Sequence, residues 1–150
     1  MPPQWTGIIT KANGSIETLW QNETIKQMIT VLKTNNHVAS ALGPAYIIQL
    51  SRIFLEMLHV YKLYSGYISN EITKSGPGVT AHATIKYMRT VKAEILKLLS
   101  CFFQNSEAGA MDQVFKSFIP PLVEPVLDDY QVSFLCCSDC RMWQLTVVCR

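Results

Sequence analysis

Four basic residues, Lys86, Arg89, Lys92 and Lys97, recur at helical spacing and are the best candidates in this sequence for a specific interaction. Steps of three and four residues bring side chains onto neighbouring positions of one helix face. A cluster of ammonium and guanidinium groups there would attract an acidic protein surface. It would act mainly by raising the encounter rate, and salt would weaken the effect. The competing reading is a solvated helix face, where most such charges reside.

Other reactive residue types form no working set. Cys137-Ser138-Asp139-Cys140 has the C-x-x-C spacing of zinc and thiol-exchange motifs. A structural zinc needs four ligands, and no second pair of this kind follows. Cys136 and Cys149 would complete a set only by awkward geometry. A redox pair would sit at a helix start beside a βαβ pattern, which is not seen. His37, His59 and His82 are scattered, with no acid–base spacing to the carboxylates. Phosphate-binding glycine loops, H-E-x-x-H and G-x-S-x-G are lacking. The expectation is therefore no catalytic residue, no metal, no cofactor and no enzyme activity. Tyr61, Tyr64 and Tyr67 with Phe54 resemble an aromatic box, but Phe54, Tyr61 and Tyr64 read better as helix packing.

Composition agrees with a protein-binding role. Hydrophobic residues make up 49% of the 150 residues and charged residues 16%, against about 25% charged in ordinary soluble domains. Such a chain expects more protein beside it. The net charge of +2 is too small to suggest nucleic acid as a bulk partner. The first residues, MPPQWTGIITK, carry no secretory signal pattern, and no apolar stretch reads as long enough to span a bilayer. Five cysteines, four of them after residue 135, do not make a secreted disulfide framework.

The elements that must position the basic face are helices. Periodicity begins at Asn22-Glu23-Thr24, read as an N-cap, and continues through Ile25, Met28, Ile29 and Leu32 before an expected break at LKTNN. Gly43-Pro44 opens a long helix. Its apolar residues, from Ile47 through Leu50, Ile53, Phe54, Met57, Leu58, Tyr61, Tyr64 and Ile68 to Ile72, fall within a stripe about 140° wide. Ser75-Gly76-Pro77-Gly78 stops it. A second long helix spans about Thr80 to Gln104, with Met88, Val91, Ile95, Leu98, Leu99 and Phe102 on its apolar face. After the loop NSEAGAMD come a short piece around Met111–Phe118 and a helix started by Phe118-Ile119-Pro120-Pro121. Two long helices joined by a short turn form an antiparallel hairpin with apolar surface to spare, the logic of an α-solenoid. A closed four-helix bundle is the alternative.

Particular residues extend this reading. Leu32–Asn35 (LKTN), Gln49–Lys62 (QLSRIFLEMLHVYK), Met88–Lys92 (MRTVK), Leu96–Leu98 (LKL), Phe118–Leu122 (FIPPL) and Asp129–Gln131 (DYQ) occur in this order with compatible gaps. Together they resemble the exportin-1 family of nuclear export receptors, in the importin-β or karyopherin superfamily, over Trp5 to Gln131. The resemblance implies an all-α solenoid of antiparallel HEAT-repeat hairpins, about three repeats drawn from the family's C-terminal half. It implies a carrier that shuttles between nucleus and cytoplasm through nuclear pores. Such a carrier binds cargo with leucine-rich export signals together with the GTP form of the Ran GTPase, and meets nucleoporins. Direct nucleic-acid binding and membrane insertion are not implied. The family's Ran-binding N-terminal repeats and its cargo groove with a reactive cysteine would precede Met1. In such solenoids the second helix of each hairpin lines the concave side, which would put Lys86, Arg89, Lys92 and Lys97 towards Ran and the opposite arm of the ring.

Two departures stand out. The family reads VKRE where this chain has Val91-Lys92-Ala93-Glu94. After Gln131 the text changes to VSFLCCSDCRMWQLTVVCR, so residues 1–131 are read as the repeats and 132–150 as an unrelated, irregular cysteine-rich tail. A shifted reading frame or retained intron would account for it, and the chain would then be a truncated product. A stand-alone helical adaptor, or a fragment without activity of its own, are the alternative functional readings.

Overall fold

The computed structural model describes residues 20–105, 112 and 116–127, and no strand occurs among them. Helix α1 spans Asn22–Leu42, α2 Ile47–Ser75 and α3 Ala83–Gln104, and α4 covers residues 116–127. Short 3₁₀ turns, Gly43–Tyr46 and Pro77–Ala81, join the first three. Glycine is required at both corners. Gly43 and Gly76 adopt φ of 55° and 79°, a region where a Cβ is strained. Each donates its N–H back to the last turn of the preceding helix, to Ala39 O and Ile72 O respectively.

The apolar stripes decide which faces meet. Leu50, Ile53, Phe54, Met57, Leu58, Tyr61, Tyr64 and Ile68 are buried on α2, as are Met88, Val91, Ile95, Leu98, Leu99 and Phe102 on α3. Both stripes match the helical periodicity of the sequence. The ring of Trp20 lies 4.8 Å from that of Tyr67, while Tyr46 bonds to Asn35, so α1 runs antiparallel to α2. At α3 the order is the reverse. Thr84 bonds to Asn22 near the start of both helices, and Cys101 reaches Asn36 O towards the other end, so α1 and α3 are parallel. These two helices approach each other most closely, forming one layer. Helix α2 lies in a second layer, joined by α4 through an edge-on contact of Phe54 and Phe118 at 4.4 Å. A hairpin flanked on one side by a parallel helix and on the other by the start of the next is a HEAT-like arrangement.

Several local expectations are corrected. Helix α1 does not break at LKTNN but continues to Leu42. The asparagines that favour turns in isolation are buried and bonded here. Asn35 Nδ2 donates to Val31 O at 2.9 Å and its Oδ1 accepts from Tyr46 at 2.8 Å. Asn36 Nδ2 donates to Glu94 Oε2 at 3.1 Å. The N-cap of α1 is Gln21, without a side-chain cap bond; the Asn22 side chain instead accepts the Thr84 hydroxyl at 2.7 Å. Helix α4 runs through Pro120 and Pro121 instead of starting there, losing one backbone bond at each. Within Asn22–Ser75 one 18-residue window is, by length and composition, apolar enough to cross a bilayer, a test that core helices of soluble proteins also meet; the sequence reading expected no such stretch. The turn at Gly43–Tyr46 divides Asn22–Ser75 into two antiparallel helices. The tail 132–150, its cysteines, and half of the piece expected at Met111–Phe118 lie outside the described residues.

Candidate functional site: the basic face of α3

The α1–α3 layer turns its polar side away from α2. Lys86 and Lys97 are exposed on α3, Arg89 is half-buried, and Lys92 is fully buried. The four residues therefore do not form one solvated row. Lys86 and Lys97 are eleven residues apart, which returns them to within about 20° of each other around the helix. Lys92 is seven residues from both Ile85 and Leu99, two turns either way along a buried strip. Its Nζ sits 5.0 Å from the centre of the Tyr61 ring on α2, a cation–π arrangement that places positive charge on the ring's negative face. This lysine belongs to the α2–α3 packing.

Sequence reading missed two members of the exposed set. Lys26 and Lys33, two turns apart on α1, are both exposed, and α1 lies parallel beside α3. Lys26 reaches across to within 5.4 Å of the Tyr87 ring centre on α3, a contact of modest strength at an exposed position. The polar surface of this layer thus carries Lys26, Lys33, Lys86 and Lys97, edged by Arg89. Their seven-residue and eleven-residue separations were visible in the sequence; that α1 packs alongside α3 was not.

Behind this face the polar groups are committed to structure. Burial pushes the Tyr46 and Tyr64 hydroxyls well above the ordinary tyrosine value, with nearby Cys101 adding to the rise at Tyr46. Both stay protonated, and Tyr46 serves as a donor to Asn35. A cleft of about 510 Å³ at the hairpin end is lined by Trp20, Tyr67, Glu71, Ser75, His82, Thr84 and Met88 among others. Its Glu71 faces Lys74 at 3.7 Å and its Thr84 hydroxyl is held by Asn22. His37, His59 and His82 are exposed and far apart in the fold. Among the described residues no cluster of His, Cys, Asp and Glu could hold a metal ion.

Comparison with known proteins converges on one family. Residues 49–145 match the family model described as CRM1 C terminal, a match that runs past the boundary expected at Gln131. Exportin-1 of Drosophila melanogaster is 41% identical over 127 residues, 85% of this chain and 12% of that protein. Protein EXPORTIN 1A of Arabidopsis thaliana is 39% identical over 127 residues, with the same shares. Exportin-1 of Schizosaccharomyces pombe is 32% identical over 126 residues, 84% of this chain and again 12% of the relative. The chain spans about an eighth of the length of these proteins. Its paired helices, its HEAT-like layers and this match over most of its residues agree, and the chain belongs to the exportin-1 family of nuclear export receptors.

Proposed function

We propose that the chain supplies part of the binding scaffold of a nuclear export carrier, one that takes leucine-rich-signal cargo and the GTP form of Ran between nucleus and cytoplasm past nucleoporins. The chain contributes surfaces, and GTP hydrolysis belongs to the partner. The observation that carries the reading is the alignment with exportin-1 proteins across 85% of the chain, supported by a hairpin-and-neighbour geometry suited to a solenoid. In this reading Lys86, Lys97 and the half-buried Arg89, joined by Lys26 and Lys33, steer an acidic partner surface, while Lys92, buried over the Tyr61 ring, takes no part in recognition.

A chimera tests it. Residues 5–131 replace the aligned segment of Drosophila exportin-1, and retention of a leucine-rich signal peptide is measured with Ran loaded with GTP or GDP. The expected result is retention with the GTP form alone, reduced by Lys86→Glu with Lys97→Glu and more so at low salt, where exposed charges are least screened. A chimera that folds, by circular dichroism, yet retains no signal peptide with Ran-GTP would overturn the proposal.

A further inference from the structure

The opposite surface of the molecule carries a second pattern. On α2, Ile48, Arg52, Leu55, His59, Lys62 and Gly66 follow one another at steps of four and three residues, and all are exposed. This alternation, averaging 3.5 residues, is the seam spacing of a two-helix coiled coil. It lies across the helix from the core stripe of Leu50, Met57, Tyr61 and Tyr64. Ile48 is 62% and Leu55 70% exposed, the largest values among the exposed large hydrophobics of the described residues. They stand about 10 Å apart along the axis, a separation that two turns of an opposing helix can bridge.

The charges on this seam are of one sign. Arg52 lies between the two apolar residues and Lys62 lies two turns beyond Leu55, and neither is ion-paired with a described residue. The nearest carboxylate on the helix, Glu56, is half-buried at the margin of the stripe. We propose that this face of α2 is a docking seam for an acidic amphipathic helix of a partner protein. Apolar side chains of that helix would pack between Ile48 and Leu55, and its flanking carboxylates would meet Arg52 and Lys62. A lipid surface is the poorer fit, since polybasic membrane contacts use clusters of about 4–8 Lys and Arg. A second copy fits poorly too, because the seam offers its own cations no acid. This surface is distinct from the α1–α3 basic face, and its test is independent of the export reading.

The full 150-residue chain is titrated with a labelled synthetic helix of about three heptads, leucine at its a and d positions and glutamate beside them. A twin peptide carries lysine for every glutamate, and phosphatidylserine vesicles form a third arm. The acidic peptide is expected to bind at least about tenfold more tightly than its twin, and Leu55→Ser to weaken it about tenfold, each equivalent to about 1.4 kcal/mol. Arg52→Glu with Lys62→Glu should reverse the preference in favour of the lysine twin, a gain that a misfolded variant cannot imitate. Equal binding of the twins, or indifference to both sets of substitutions, overturns the proposal. So does vesicle binding in place of peptide binding, or a dimer that Leu55→Ser dissolves.

Discussion

The two seams that α3 makes are built from different chemistry. Towards α2 the buried side chains are apolar and aromatic, Met57, Tyr61 and Tyr64 on α2 and Met88, Ile95 and Leu99 on α3, with the Lys92 ammonium over the Tyr61 ring. Towards α1 it includes a run of polar links: Thr84 to Asn22, Asn36 to Glu94, and the Cys101 thiol to Asn36 O. Tyr46, in the turn between α1 and α2, adds its bond to Asn35. Apolar packing contributes most stability but tolerates sliding, whereas hydrogen bonds between named side chains are satisfied in one register. The α2 seam therefore holds the layers together, and the α1 seam fixes how far one helix is advanced along its parallel neighbour.

The largest effect should come from the apolar side. Leu99→Ala removes a buried side chain from the α2-facing side of α3, and a cavity of that kind costs about 2–5 kcal/mol. Urea unfolding should show the midpoint falling with little change in slope. A smaller loss, with a different signature, follows from breaking the polar side. Asn35→Leu keeps the branched shape in a larger side chain but strands the buried Tyr46 hydroxyl, at a cost of about 1–3 kcal/mol. If the polar seam sets register, Asn35→Leu with Tyr46→Phe, which removes both partners, should recover most of that loss.

These differences also explain what could be read in advance. The stripes of α2 and α3 were legible because periodicity alone determines which side of a helix is buried. The fate of Asn35 and Asn36 was not. Their helix survives because Tyr46 and Glu94, eleven and fifty-eight residues away, supply bonds that local propensity does not contain. Lys92 repeats the lesson. The sequence placed it with the exposed basic residues although it stands seven residues from both Ile85 and Leu99, because the ring that accepts its charge belongs to another helix. The basic face was half legible for the same reason: Lys86 and Lys97 share a helix, while Lys26 and Lys33 join them only through the α1–α3 contact.

Alkaline pH probes the seams from a different direction. Tyr46 and Tyr64 have folded-state pKa values raised above the ordinary 10.0 by burial. Above that value the unfolded chain releases these protons while the folded chain keeps them, so the unfolded state binds fewer protons and stability falls as pH rises. Below pH 10 the two hydroxyls are neutral in both states and contribute no slope. Thermal melts should therefore be insensitive to these groups up to about pH 10 and drop beyond it. Tyr64→Phe should flatten the decline in part, even though it lowers stability at neutral pH.

The smallest stability change is expected where charge is exposed. Lys86→Glu with Lys97→Glu alters two solvated side chains that no described carboxylate pairs with, and such surface changes stay within about 0.5 kcal/mol each. Lys92→Met, by contrast, removes a buried ammonium from the Tyr61 ring while keeping its length, and the outcome depends on whether the cation–π gain exceeds the desolvation it required. A buried charge replaced by an apolar side chain of similar volume is often neutral or stabilising, so an unchanged or raised melting temperature is expected. The pair of variants separates two roles that one basic cluster in the sequence had merged. Loss of partner binding with Lys86→Glu and Lys97→Glu at unchanged stability, beside unaltered binding with Lys92→Met, would assign recognition to the exposed lysines and packing to the buried one. A stability loss of several kcal/mol with Lys92→Met would show instead that the Tyr61 contact anchors α3 on α2, and that the apolar seam itself depends on a charge.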